Sequence, residues 1–261
     1  MDMDDISIPA IKARLTTRFV GRNLLYYPTI GSTNDVAKAQ GRAGAPEGTV
    51  VLADEQTSGR GRLQRPWLSP AGSSLLLSVL LRPTPVELPR LTMVASVAVA
   101  RSIEAILGLR PGLKWHNDVM LGRRKVCGIL VESDLVEDQV SFAVVGIGLN
   151  VNFDPASFPE IANMATSLQR ELGHAVPRLP LLLRLLEEIE TLYLAERQGQ
   201  SVFIEWRARL DTLGRAVRVA MGDHVEEGVA EDVDEEGRLL LRRPDGSLLT
   251  VIAGDVTLRE V

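Results

Sequence analysis

Gly59-Arg60-Gly61-Arg62-Leu63-Gln64-Arg65-Pro66-Trp67 places three arginines and two glycines within nine residues. No acidic residue occurs between positions 56 and 86, whereas Arg60, Arg62, Arg65 and Arg82 all fall there. Arginine presents a planar, permanently charged fork suited to phosphate and carboxylate oxygens. Glycine lets the backbone come close to a ligand. The chain around this stretch carries a formal net charge of −5. A cationic loop in an acidic protein points to capture of a small anion. Three arginines so close together repel one another, which predicts a loop open without ligand and ordered by it.

The segments on either side define the architecture. Residues 49–53 and 74–81 read as strands that bracket the loop. Ser32-Thr33-Asn34-Asp35 precedes Val36-Ala37-Lys38-Ala39-Gln40 and then Gly41, the order of an N-cap, a short helix and a glycine stop. Residues 92–107, ended by Gly108, have the apolar spacing of a buried helix. Residues 113–121, 125–133 and 139–152 form a second strand group, and the acidic turn at 134–138 predicts antiparallel hairpins. Pro180 opens a leucine-rich helix that closes at Gly199. After Asp211 the texture changes to short strands, at 216–221, 228–233, 238–242 and 248–253, joined by acidic or glycine turns. These predict a compact β-barrel module. The expected fold is α+β, a mixed or antiparallel sheet with flanking helices in residues 1–211 and a small barrel in residues 212–261.

Composition narrows the function. A hydrophobic content of 45% and a charged content of 24% are those of a globular protein. The longest apolar runs are too short to span a bilayer, and the N-terminus Met-Asp-Met-Asp-Asp lacks the form of a signal peptide. The single cysteine, Cys127, excludes an intrachain disulfide and fits a reducing compartment, so a cytoplasmic setting is expected. Residues 222–261 hold eleven acids against four arginines. Such a tail is repelled by nucleic acid, and no nucleic-acid or membrane partner is expected.

Several motifs fail on inspection. Gly146-Ile147-Gly148-Leu149-Asn150 begins like a dinucleotide fingerprint, but Val151 stands where a third glycine belongs and no helix pattern follows. Histidines 116, 174 and 224 have no ligand-like spacing with Cys127, which reads as a small core residue. Ser32-Thr33-Asn34 serves equally as a helix cap or as a polar rim for a small molecule. Lys114-Trp115-His116-Asn117-Asp118 and Arg124-Lys125-Val126-Cys127-Gly128 put two lysines on adjoining strands. They matter only if the arginine loop folds over them.

Taken in order, these segments resemble biotin–protein ligases. The matching motifs are Ser-Thr-Asn, Gln-x-x-Gly-Arg-Gly-Arg-x-x-Arg-x-Trp, Lys-Trp-x-Asn-Asp, Arg-Lys-x-x-Gly-Ile-Leu-x-Glu and Gly-x-Gly-x-Asn-x-Asn, within residues 30–152. Residues 214–259 resemble the family's C-terminal SH3-like module. The resemblance implies a class II synthetase-like catalytic domain and a two-step reaction. Biotin and ATP give biotinyl-5′-AMP and pyrophosphate, and a lysine of a biotin carboxyl carrier protein or domain then attacks the mixed anhydride.

By motif position, the resemblance implies that Ser32, Thr33, Asn34 and Gln56 hold the biotin rings. Arg60, Gly61 and Arg62 close over biotin and the phosphates, Arg65 assists with the triphosphate, and Trp67 lies against the adenine. Lys125 contacts the biotin carboxylate and the α-phosphate, while Asn117, Asp118 and Asn150 line the adenylate side. Lys125, Arg60 and Arg62 are the expected catalytic groups. Mg²⁺ is expected to travel with the triphosphate, with Asp118 its candidate neighbour. His116 stands where the family usually has proline, which removes a fixed φ from the turn presenting Asn117 and Asp118. Residues 1–22 are too few for the DNA-binding domain that some relatives carry. Lipoate or octanoyl ligases and transferases of the same superfamily, or a non-catalytic biotin-binding regulator, are the competing readings. A homodimer formed by sheet extension is also expected, with the hairpin at 139–152 as its candidate edge.

Overall fold

The structure, a computed structural model, describes residues 6–137, 139–222, 224–252 and 254–258. Met1–Asp5, Asp138, Ala253 and Arg259, on which parts of the sequence reading fall, lie outside the described residues. In chain order the elements are α1 (Ile8–Arg14), β1 (Leu24–Ile30), α2 (Thr33–Arg42), β2 (Val50–Gln56), β3 (Ser74–Leu81), α3 (Leu91–Leu107), β4 (Gly112–Lys114), β5 (Asp118–Leu121), β6 (Arg124–Val136) and β7 (Gln139–Asn150). After these come α4 (Leu168–Leu172), α5 (Arg178–Arg197), α6 (Phe203–Ala208), β8 (Ala216–Met221), β9 (His224–Val233), β10 (Leu239–Arg242), β11 (Leu248–Val251) and β12 (Asp255–Leu258).

The first seven strands form one sheet in the order β1-β2-β3-β7-β6-β5-β4. Only β1 and β2 run parallel, joined through α2, and every other pair is antiparallel. The mixed sheet agrees with the expectation, but the β1–α2–β2 crossover is absent from the sequence reading. So are α1, α4 and α6. The segment expected as one strand at 113–121 is instead two short strands, β4 and β5, separated by a turn. Residues 143–150 of the 139–152 hairpin are not a free edge, because there β7 lies inside the sheet, paired with β3 on one side and β6 on the other. The sheet edges are β1 and β4.

Burial follows from composition. Every residue of β3 is buried, so both of its faces are covered. Leu75, Leu77, Val79 and Leu81 join the main core, which includes residues of α3 and α5. On the opposite face β3 offers Leu76, Ser78 and Leu80, whose cross-strand partners on β7 are Gly148, Gly146 and Val144. α2 covers the apolar end of that face, where Ala37 packs with Leu80, Val144 and Phe142. The other end is floored by glycines, and Gly128 on β6 pairs with Gly148. With no side chains there, the sheet is left with a hollow, and this hollow positions the site.

Strands β8–β12 form a separate five-stranded antiparallel sheet in the order β11-β10-β9-β8-β12. It is tied to the large sheet by Trp115, whose Nε1 donates to Gly237 O at 2.8 Å and whose N–H donates to Thr212 Oγ1 at 2.9 Å. No helix among the described residues is long and apolar enough to cross a membrane.

One buried carboxylate organises the approach to β1. Glu190 on α5 accepts the backbone N–H groups of Arg18, Phe19 and Val20 at 2.6, 2.8 and 3.0 Å. Removing it leaves three donors in a part-buried turn without that acceptor. Glu190→Ala is expected to lower stability by roughly 2–4 kcal/mol in urea unfolding. A loss below about 0.5 kcal/mol, the range of an ordinary surface substitution, would contradict this role.

Candidate functional site

A cleft of about 760 Å³ opens over the glycine floor. All thirteen residues singled out from the sequence line it, including Ser32, Gln56, Arg65, Trp67 and Asn150. The lining carries seven basic side chains (Arg60, Arg62, Arg65, Lys114, Arg123, Lys125 and Arg218) against two carboxylates, Asp118 and Asp255. A cationic cleft with low-dielectric walls in an acidic protein focuses its field on anionic ligands. A smaller cavity of about 360 Å³ lies between Met93, Trp206 and Gly237 and lacks such a convergence of cations.

The glycines of the Gly-x-Gly strand now have a physical role. A Cβ at Gly148 would lie 2.6 Å from Trp67 Cε2, and one at Gly128 would lie 2.8 Å from Trp67 Cζ3. The indole therefore lies on bare backbone. Its Nε1 is buried and has no hydrogen-bond partner. Asn150 donates from Nδ2 to Thr166 O at 3.0 Å, and its Oδ1 is likewise buried without a partner.

The Ser32-Thr33-Asn34 run opens α2. Ser32 occupies the N-cap position with extended backbone, but its side chain makes no capping bond. Gln56 Oε1 accepts Thr33 N–H at 2.7 Å and lies 3.0 Å from Thr33 Oγ1. Asn34 Oδ1 accepts from Ser78 Oγ at 2.6 Å, and Asn34 Nδ2 donates to Glu132 Oε2 at 2.7 Å. A Cβ on Gly146 would sit 2.3 Å from Asn34 Oδ1, so glycine is needed there too. Ser78 was not among the residues singled out, and Glu132, which closes the Arg-Lys-x-x-Gly-Ile-Leu-x-Glu motif, was given no role there. The signal for Ser78 was a hydroxyl interrupting the apolar run of β3.

The arginine loop folds over the cleft. Each arginine has its own partners. Arg60 forks onto Asp35 at 2.8 and 2.6 Å and reaches both oxygens of Glu132 at 3.4 Å. Arg62 Nη1 donates to Asn117 Oδ1 at 3.3 Å and to Gly254 O at 3.2 Å, and lies 3.0 Å from His116 Nδ1. Arg65 pairs with Asp255, which also lies 3.8 Å from Arg62. The Arg60 guanidinium holds the Asp35 carboxyl down at about 2. Burial opposes ionisation of Glu132, but the Asn34 and Lys38 donors and the Arg60 charge outweigh it and keep its pKa low. Leu63 and Gln64 at the loop tip take positive φ of 54° and 58°.

Lys125 lies 2.6 Å from Asp118 Oδ1 and 5.4 Å from the centre of the Trp67 ring. Asn117 Nδ2 donates to Ile129 O at 2.8 Å, which anchors the turn that presents Asp118. Cys127 is fully buried, and desolvation pushes its thiol pKa up, as expected of a core residue.

His116 is held neutral. Burial, then the Arg62 charge, pushes it down to about 3. Because arginine only donates, Nδ1 accepts from Arg62 and the ring proton sits on Nε2. A base with a lowered folded pKa contributes stability that is complete above the unfolded value near 6.5 and is lost as pH falls toward 3. Among the three histidines, nitrogen NMR is expected to show His116 as an Nε2–H tautomer that does not titrate between pH 5 and 8. A midpoint near 6.5 would contradict the Arg62 contact.

Comparison with known proteins agrees with this geometry. Residues 26–150 match the biotin/lipoate A/B protein ligase family, and residues 212–259 match the biotin protein ligase C-terminal domain. The chain is 36% identical to a biotin–[acetyl-CoA-carboxylase] ligase of Mycobacterium tuberculosis, over 98% of each chain. It is 34% identical to the bifunctional ligase/repressor BirA of Bacillus subtilis, over 97% of this chain and 79% of that one. A solved structure of the biotin protein ligase from Aquifex aeolicus in complex with biotin and ATP superposes with a TM-score of 0.75 at 31% identity, covering 92% of this chain and all of that one. With both of its parts matched and near full-length similarity to such enzymes, the chain belongs to the biotin/lipoate A/B protein ligase family.

Proposed function

We infer that this chain is an ATP-dependent biotin–protein ligase. It activates biotin as biotinyl-5′-AMP and transfers the biotinyl group to a lysine of a carrier domain in a biotin-dependent carboxylase. The observation that carries the reading is the convergence of seven cations on a cleft whose floor is bare glycine backbone. Joining a carboxylate to the α-phosphate of ATP brings two anions together and builds charge on the phosphoryl oxygens. Fixed cations oppose the first repulsion and stabilise the second.

In this reading biotin occupies the end of the cleft beneath α2, where Thr33 and Gln56 present polar groups. The nucleotide takes the end lined by Trp67, Asn117 and Asn150, with Arg62, Arg65 and Arg218 toward the phosphates. Lys125 stands between the two. With its ammonium already turned into the cleft over Trp67, exchanging Asp118 for the reacting anions needs little movement. The carboxylate oxygen of biotin attacks the α-phosphorus and pyrophosphate leaves. The carrier lysine then attacks the acyl carbon, and AMP leaves. Both carboxylates of the lining, Asp118 and Asp255, are already paired with cations. No cluster of three or more metal-binding side chains occurs among the described residues. Mg²⁺ is expected to travel with the triphosphate of the nucleotide, with Asp118 as its candidate protein neighbour.

The residues 212–261 module, by this reading, completes the phosphate end through Arg218 and Asp255. A cytoplasmic setting suits the lone reduced cysteine. A homodimer, if formed by sheet extension, would use β1 or β4.

The test is biotin-dependent exchange of labelled pyrophosphate into ATP. The unaltered chain is expected to exchange with biotin and not with lipoate. Lys125→Ala is expected to lose roughly 10²-fold or more at saturating substrates while keeping its thermal midpoint, as when one key electrostatic group is removed. Rates within about twofold of the parent would remove Lys125 from the chemistry.

A further inference from the structure

We propose that Glu132 is a positioning residue that couples the floor of the cleft to the arginine loop. One carboxylate spans both. Its Oε2 accepts from Asn34 Nδ2 at 2.7 Å, its Oε1 accepts from Lys38 Nζ at 2.9 Å, and Arg60 Nη2 lies 3.4 Å from each oxygen. The inference rests on the reading of this cleft as the biotin site.

The two ends of this bridge do different things. Asn34 is almost fully buried, with its Oδ1 committed to Ser78 and one Nδ2 proton committed to Glu132. Its amide orientation is therefore set by the protein before any ligand arrives. An amide can rotate by half a turn with little change of shape. With Glu132 accepting and Ser78 donating, only one orientation satisfies both ends. Through Ser78, which lies 2.8 Å from Thr33 Oγ1, the same bonds reach the Thr33–Gln56 pair. Asn34 thus lines the cleft and also fixes the orientation of its neighbours in the polar rim.

At the other end, Arg60 anchors the root of the loop. Asp35 takes most of its fork, and Lys38 lies 3.3 Å from Asp35 Oδ1. Two cations and two carboxylates balance here. The Arg60 charge is matched within the chain, so its contribution is to hold the loop rather than to bind the reacting anions. Asp35 contacts only the cations among these groups, whereas Glu132 contacts the cations and the floor. That difference separates the two carboxylates experimentally.

Two readings are made on Glu132→Gln and Asp35→Asn in the full chain. They are the rate of tryptic cleavage after Arg60 without ligand, and biotin affinity by calorimetry. Glu132→Gln keeps the shape, but its amide cannot accept from both Asn34 and the cations. It is expected to speed cleavage by about fivefold or more and to weaken biotin binding by about tenfold, the effect of one mispaired buried polar group. Asp35→Asn is expected to speed cleavage similarly and to leave biotin affinity within about twofold. Glu132→Asp, which keeps the charge but shortens its reach, is expected to move both readings in the same direction as Glu132→Gln and covers a failure of that variant to fold. Unchanged cleavage and affinity in the Glu132 variants would overturn the proposal. So would an Asp35→Asn loss of biotin affinity equal to that of Glu132→Gln. Failure of the unaltered chain to bind biotin would instead refute the reading of the site.

Discussion

Seven basic side chains share one cleft, and that concentration of like charge is the constraint to which the surrounding structure answers. Four of them, Arg60, Arg62, Arg65 and Lys125, lie beside carboxylates, since an enclosed unpaired charge is strongly unfavourable. The chain supplies them from four places. Asp35 comes from α2, Glu132 from β6, Asp118 from β5 and Asp255 from β12. Arg62 has neutral acceptors from His116, Asn117 and Gly254 in addition to Asp255 at 3.8 Å. These partners are of two kinds. Asp35 and Glu132 hold the root of the loop, whereas Asp118 and Asp255 lie in the lining itself, where arriving phosphates would replace them.

The second constraint is space. A sheet whose face is covered by ordinary side chains has no room for a ligand to approach its backbone. Here three positions on one face, Gly128, Gly146 and Gly148, are bare, and Trp67 and Asn34 occupy the room that results. The same strands are apolar a few residues away, where α2 seals them. One sheet face therefore serves as core at one end and as floor at the other. The change from Val144 to Gly146 along β7 marks the boundary.

Much of this was legible in the sequence. The motifs lie far apart in the chain, yet their residues line one cleft, and their order was enough to place them together. Strand β3 and helix α3 were evident from uninterrupted apolar runs. Strand β1 was missed because Pro28 interrupts it. Proline is tolerated there because β1 is an edge strand, and Pro28 has no partner in its register with β2. The edge position expected for β7 fails over residues 143–150 for a related reason. Its second neighbour, β3, lies more than sixty residues earlier, and no local pattern reveals such pairing. The carboxylate partners of Arg60, Arg62 and Arg65 were not legible, because they come from distant segments of the chain. Ser78 was hidden as a single hydroxyl in an apolar strand.

The central claim is that this cleft activates biotin for transfer to a protein lysine. Intact-mass spectrometry of a biotin carrier domain incubated with this protein, biotin and Mg-ATP tests it most directly. The account predicts the added mass of one biotinyl group on one lysine, dependent on both biotin and ATP, and no adduct when lipoate replaces biotin. An unmodified carrier, or a lipoyl adduct formed as readily as a biotinyl one, would contradict it.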